Sequence, residues 1–291
     1  MPAALVLGGA DRFLRAEVDP LGLVPVDVET AGDGARAGVA GVAVAGIGTT
    51  AAQAVHGPLL ADALGALGYR VASATALATP AELVADRSWR LGVVLSPWKR
   101  EVGEHCDRLA PSAELTGVVD TVIRTNVGTV GFNTNTWAAS SALEVLMAGT
   151  VPRRILVLGA GASSRSVALA ARRAWPQCEL VISARSQAAA EALAAQFSGV
   201  AGDSASSGAL PDVVVNATTW GETEASEAEP LGIDVTGVFA PGVRLFDLNN
   251  RVGALPVQAL QAGCTVLSGS VMQRVTNASR AALLGFAATN C

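Results

Sequence analysis

The run Arg153-Arg154-Ile155-Leu156-Val157-Leu158-Gly159-Ala160-Gly161-Ala162-Ser163-Ser164-Arg165 reads as a buried strand that breaks into a glycine turn and then opens a helix. Four apolar residues in succession suit a parallel strand covered on both faces. Gly159 and Gly161 let the backbone turn tightly, with Ala160, Ala162 and Ser163 completing the corner. The helix expected from about Ser163 to Ala174 then aims its first N–H groups at whatever sits in the turn, an arrangement that suits phosphate. A glycine corner alone fits any strand-to-helix connection, so the reading needs support from the strands that follow.

The next strand, Cys178 to Ser183, runs into Ala184-Arg185-Ser186. A site selective for NAD places a carboxylate there for the ribose 2′-hydroxyl, and this chain has none. Arg185 and Ser186 offer a guanidinium and a hydroxyl, which suit a 2′-phosphate, so the expected cofactor is NADP. The competing reading of Arg185 is a solvated strand-end charge. A third strand, Asp212 to Asn216, leads into Ala217-Thr218-Thr219-Trp220-Gly221, and Asn216, Ala217 and Thr218 are expected in the loop beside a nicotinamide.

The 291 residues are long enough for two domains, and 51% hydrophobic with 15% charged residues supplies sizeable cores. No apolar run reaches the roughly 18 residues of a membrane span. Asp11, Arg12, Arg15 and Glu17 follow the first apolar run without a basic stretch before it, which does not read as a signal peptide, so a cytoplasmic protein is expected. Cys106, Cys178, Cys264 and Cys291 are scattered, and His56 and His105 are the only histidines. Neither a zinc site nor a disulfide framework is expected from them. A net charge of −5 without a basic cluster argues against a nucleic-acid partner. The expected partner is a small-molecule substrate, with no membrane association, in a monomer or homodimer.

Before the glycine turn, Ala4 to Leu7 and Gly41 to Ala45 are strand candidates, with Val24 to Val28 and a glycine-rich link from Gly32 to Gly38 between them. Val55 to Gly68 has a helical pattern, with Pro58 in the first turn and Leu60, Leu64 and Leu67 on one face. Tyr69 to Ala74 reads as a strand, Pro80 to Asp86 as a short helix and Leu91 to Leu95 as another strand. After Ser96-Pro97-Trp98-Lys99-Arg100-Glu101-Val102 a helix is expected to about Leu109. Alternation of strand and helix makes this half α/β as well.

Gly92 to Val102, Gly117-Val118-Val119-Asp120-Thr121-Val122 and Gly131-Phe132-Asn133-Thr134-Asn135, followed by the turn at 159–161, resemble in order and spacing the shikimate/quinate dehydrogenase family. Asn216-Ala217-Thr218, Phe246-Asp247-Leu248 and Gly269 to Met272 agree with its later motifs, so the resemblance covers about residues 46 to 286. It implies an α/β fold of two domains with a cleft between them. An N-terminal α/β substrate domain, residues 1–138, would be rejoined by a C-terminal helix, 273–291. A Rossmann-type NADP-binding domain would span 139–272. Gly269 and Met272 would join the cofactor site, and Ser96, Thr121, Thr276 and Asn277 would face the substrate.

The family's catalytic lysine falls on Lys99, in a motif that is usually Thr-x-Pro-His-Lys and here is Ser96-Pro97-Trp98-Lys99. Apart from the resemblance, a lysine just after a strand end can bond a carbonyl oxygen and exchange its proton as hydride moves at carbon. The alternative is an ordinary lysine at a helix start. The family has an asparagine where this chain has Asp120 and an aspartate where it has Asn135, so the two are exchanged and a pairing of Asp120 with Lys99 is expected. Asp120 as a mere turn cap in a decayed site is the competing view. The serine pair that holds the substrate carboxylate in the family falls near Val55 and Gly57, which cannot donate a side-chain hydrogen bond. Thr49, Thr50, Gln53 and His56 lie close in sequence. The family's glutamine in the last helix falls near Thr276. Three functions remain open: an NADP-dependent oxidoreductase interconverting a carbonyl or imine with an alcohol or amine on a small polar molecule, cyclic ones included; a genuine shikimate or quinate dehydrogenase with a rebuilt clamp; and a non-catalytic nucleotide or ligand sensor.

Overall fold

A computed structural model of the chain describes residues 13–25, 40–126, 128–202 and 209–288. Its contacts divide into two units, Met1–Trp137 with Arg274–Cys291, and Ala138–Gln273. The strand candidate Ala4 to Leu7, the glycine-rich link at 32–38 and Cys291 lie outside the described residues, as does most of Val24 to Val28.

In the first unit the strands are β1 (Leu23–Pro25), β2 (Ala40–Ile47), β3 (Tyr69–Leu77), β4 (Leu91–Val94), β5 (Arg108–Leu109), β6 (Thr121–Thr125) and β7 (Gly128–Phe132). Six of them form one sheet in the order β3-β2-β4-β6-β7-β5, in which the β4–β6 and β6–β7 pairs are antiparallel and the others parallel. Strand periodicity sorts β2 between two cores. Val42 and Val44 join a cluster with Leu60, Leu64 and Tyr69, whereas Ala45 and Ile47 join one with Leu83, Trp89 and Val94. Helices Pro58–Gly65, Pro80–Ala85 and Pro111–Thr116 each start on a proline, whose fixed φ and missing N–H suit a first helical position.

Three local expectations need correction. Leu67 is exposed, because the helix that buries Leu60 and Leu64 ends at Gly65. The helical stretch from Val55 is two helices, Ala51–His56 and Pro58–Gly65, broken at Gly57, whose backbone is extended. The helix expected after Val102 is only a 3₁₀ turn, Val102–His105, and Arg108–Leu109 leaves it to pair with Val130 and Gly131 of β7.

The second unit holds β8 (Arg154–Leu158), β9 (Glu179–Ser183), β10 (Val200–Ala201), β11 (Val213–Asn216), β12 (Arg244–Asp247) and β13 (Thr265–Ser268) in one parallel sheet, ordered β10-β9-β8-β11-β12-β13. This is the doubly wound dinucleotide-binding order, with its switch point between β8 and β11. The central strands are buried throughout, as a parallel sheet covered on both faces requires. Leu156, Leu158, Val181, Val214 and Leu245 share one core. The last strand, β14 (Phe286–Ala288), pairs antiparallel with β1 in the first unit. No helix among the described residues is long and apolar enough to cross a membrane.

Candidate functional site

In the second unit β8 ends at Leu158, and Gly159 turns the chain with φ +103°. A Cβ on Gly159 would sit 3.1 Å from Cγ2 of Thr218, 3.3 Å from the Ala217 carbonyl and 3.3 Å from Oγ of Ser164. Glycine therefore keeps this corner open where the β8 turn meets the β11 loop. The Ala162–Ala174 helix starts from Gly161 with no side chain capping its first turn, so its N–H groups face outward from the corner. Ser164 is fully buried there, and among the described residues its hydroxyl has no hydrogen-bond partner. An open glycine corner, an uncapped helix start and an orphaned buried hydroxyl together suit the pyrophosphate of a dinucleotide.

The loop after β11 is nailed down by Asn216. Its side-chain oxygen accepts from the Thr218 N–H (3.2 Å) and hydroxyl (2.7 Å), while its amide donates to the Trp220 carbonyl (3.4 Å) and to Oδ1 of Asp247 (3.0 Å). Asp247 also accepts from the Asn249 N–H, and the Asn249 carbonyl accepts from the Gly269 N–H (3.1 Å). Asn216, Ala217, Thr218 and Gly269 thus lie together at the C-terminal ends of β11, β12 and β13, and Met272 is buried in the first turn of the Ser270–Leu283 helix. Burial pushes the Asp247 carboxyl up to about 6, with its hydrogen bonds from Asn249 and Asn216 opposing that rise. At the end of β9, Arg185 is exposed. Ser186 caps the Gln187–Gln196 helix by accepting from the Ala189 N–H (3.3 Å), which leaves its hydroxyl hydrogen free to donate.

In the first unit, chemistry gathers at one end of the sheet. Lys99 lies in the turn after β4, nearly buried, and its carbonyl accepts from the Val119 N–H at 2.7 Å. Asp120 follows directly, its N–H donating to Phe132 at the end of β7 and its carbonyl accepting from Val94 at the end of β4. Asn135 stands in the first turn of the Thr134–Met147 helix, which begins just after β7. The nearby Thr49 donates through its N–H and hydroxyl to the carbonyl of exposed Ser96. Val55 is buried in the hydrophobic core, so its position offers neither a hydroxyl nor a pocket wall.

The Asp120 carboxylate is held by several donors around it. Oδ1 accepts from the Thr121 and Thr134 hydroxyls and the Thr134 N–H, and Oδ2 accepts from the Asn135 N–H at 2.7 Å. The fully buried carboxylate satisfies the start of the Thr134–Met147 helix, where unpaired N–H groups favour a negative charge. Its cationic neighbour is Arg280, whose guanidinium donates to the Thr121 hydroxyl (3.1 Å), the Asp120 carbonyl (3.3 Å) and Oδ1 of Asn277 (3.1 Å). Burial pushes the Arg280 guanidinium below its ordinary value, and the charge of Asp120 works against that. Thr276, one helical turn earlier, donates its hydroxyl to Oδ1 of Asn135 at 3.2 Å.

The structure thus joins Asp120, Thr121, Asn135, Thr276 and Asn277 in one buried polar network and places Lys99 on the neighbouring turn. Sequence reasoning missed Arg280, Thr134 and Ser164. Arg280 carried a signal, since Thr276 and Arg280 are four apart and share a helix face. Among the described residues no group of three or more His, Cys, Asp or Glu side chains could hold a metal ion.

No family model matches the chain. Curated relatives include the NADP(+) shikimate dehydrogenases of Symbiobacterium thermophilum, 33% identical over 48% of this chain and 52% of that protein, and of Thermus thermophilus, 38% identical over 41% and 45%. The one from Aeropyrum pernix is 29% identical over 65% of this chain and 70% of its own. The chain spans about half the length of the first curated relatives it matches. Among solved structures, a Thermus thermophilus shikimate 5-dehydrogenase in complex with NADP(H) and shikimate superposes with a TM-score of 0.70 and 28% identity, covering 83% of this chain and 92% of that one. A quinate dehydrogenase from Corynebacterium glutamicum in complex with NAD shares the fold, with a TM-score of 0.66 and 20% identity over 83% and 93%.

Proposed function

We propose that this chain, a divergent, shikimate dehydrogenase-like member of the shikimate/quinate dehydrogenase family, is an NADP(H)-dependent oxidoreductase that interconverts a carbonyl or imine with an alcohol or amine on a small polar molecule. The observation that carries the reading is the cradle at the sheet's switch point, where Gly159, the uncapped helix start and the orphaned Ser164 hydroxyl coincide. Gly159, Ala160, Gly161, Ala162 and Ser163 would hold the pyrophosphate, Arg185 and Ser186 the 2′-phosphate, and Asn216, Ala217, Thr218, Gly269 and Met272 the nicotinamide end. A bound nicotinamide supplies or accepts the hydride.

The remaining steps fall to this chain's own residues. In reduction, Lys99 gives a proton to the substrate oxygen or nitrogen as the adjacent carbon gains hydride, and in oxidation it takes that proton back. Asn135 presents its amide N–H₂ to a substrate hydroxyl, since its oxygen is already engaged by Thr276. Ser96, Thr121 and Asn277 border the substrate. Asp120 works indirectly, holding the helix start that carries Asn135. Val55 is in the core and carries no hydroxyl where the family uses a serine for the substrate carboxylate, which disfavours shikimate as the substrate. A site that lacks a hydrogen-bond partner discriminates by as much as about 10⁴-fold in favourable cases.

The test is a titration of the protein with NADPH and NADH, beside an NADPH-consumption screen over small cyclic ketones and imines with 3-dehydroshikimate included. The reading expects NADPH to bind more tightly than NADH and at least one ketone or imine other than 3-dehydroshikimate to be turned over. Tight NADPH binding without turnover anywhere would favour a sensor, and preferential NADH binding would sink the cofactor assignment.

A further inference from the structure

Arg185 forms no described hydrogen bond or ion pair, yet its side chain is not loose on the surface. Its stem lies on the bare backbone of Gly232: a Cβ built there would come within 2.8 Å of Cδ and 2.9 Å of Cγ of Arg185. Gly232 has φ +67°, in the left-handed region that glycine adopts without strain. The segment carrying it is fixed on both sides. Before it, the Glu229 carbonyl accepts from the indole N–H of Trp220 at 2.7 Å, and after it Ile233, Val235, Val238 and Phe239 pack on the core that contains Val214 and Leu245. The surface under Arg185 is therefore set by the fold.

We propose that Gly232 is a specificity-determining positioning residue: it seats the Arg185 stem so that the guanidinium is held where it meets the 2′-phosphate of NADP(H), and so sets the preference over NAD(H). This rests on the cofactor reading above. An exposed arginine must otherwise lose rotamer freedom on meeting its anion, and a seated stem has lost much of it beforehand. Any side chain at 232 lifts the stem off the backbone and moves the guanidinium while leaving its charge in place. NADH, which has no 2′-phosphate, is indifferent to that movement.

The experiment measures dissociation constants of NADPH and NADH by titration for the full chain and for Gly232→Val, Gly237→Val, Arg185→Ala and the Gly232→Val/Arg185→Ala double variant. Gly237 is the matched control, since it lies in the same segment with φ +70° and a Cβ there meets nothing within 4 Å. It carries the same backbone strain without touching Arg185. Arg185→Ala should lower the NADPH preference at least about tenfold, the loss of one charge-assisted contact. Gly232→Val should lower it at least about fivefold with NADH binding unchanged, Gly237→Val should leave it within about twofold, and the double variant should fall no further than Arg185→Ala alone. If Gly232→Val fails to fold, Gly232→Ala takes its place, because the clash is at Cβ. A preference kept in Gly232→Val, lost equally in Gly237→Val, or lost multiplicatively in the double variant would each overturn the inference. A preference untouched by Arg185→Ala would instead overturn the cofactor assignment, and this inference with it.

Discussion

Replacing Asp247 by asparagine should change how the stability of the protein depends on pH, in a direction and over a range set by one buried carboxyl. Asp247 is 3% exposed and its carboxyl is raised from 3.8 to about 6, because burial outweighs the hydrogen bonds from Asn249 and Asn216. For a raised acid the folded state binds the proton more tightly than the unfolded state. Its stabilising contribution is present below the unfolded value and is lost as pH rises through about 6. A shift of about 2 units corresponds to about 3 kcal/mol lost in full above pH ~7, an upper figure for a site with some residual solvation. Asparagine keeps an acceptor at Oδ1 for the same two donors and does not titrate. Burying its extra N–H₂ costs about 1–3 kcal/mol if it finds no acceptor, but that cost is the same at every pH. Urea unfolding at intervals from about pH 4 to 8 isolates the titrating part: the gap between variant and parent should move in the variant's favour by about 2–3 kcal/mol across that range. Parallel curves, with a gap constant to within about 0.5 kcal/mol, would refute a raised Asp247.

Two further outcomes follow from the buried polar groups. Asp120→Asn removes the counter-charge of buried Arg280 and should cost about 3–5 kcal/mol in urea unfolding, while adding Arg280→Met should restore most of it; equal losses in the single and double variants would contradict the charge coupling. Ser164→Ala removes a hydroxyl that has no partner among the described residues, so the free protein should be unchanged or about 1 kcal/mol more stable while NADPH and NADH both bind several-fold more weakly; a destabilised protein with unaltered binding would count against the phosphate cradle.

The strand-and-turn framework was legible because its signals are local. Ile155 to Leu158 before Gly159, Val213 to Val215 before Asn216, and Pro80 after Thr79 each mark a boundary by residue type, and the structure places β8, β11 and the Pro80–Ala85 helix there. The segment after Val102 misled because its residues permit a helix, and only the ladder between Arg108–Leu109 and β7 tips it to a strand. The fate of Asp120 was invisible for a similar reason. Its carboxylate is claimed by a helix start 14 residues on, and its counter-charge arrives from Arg280, 160 residues away. Motif spacing brings Lys99 and Asp120 to the same sheet end, but cannot say which donors reach the carboxylate first.

Lys99 carries the central claim, and one comparison tests it most directly. On whichever ketone or imine the NADPH screen identifies, Lys99→Ala is measured beside the parent for both turnover and NADPH affinity. The account predicts kcat lower by about 10²- to 10⁴-fold, the contribution of a general acid/base, with NADPH binding unchanged. Full turnover in Lys99→Ala would contradict it.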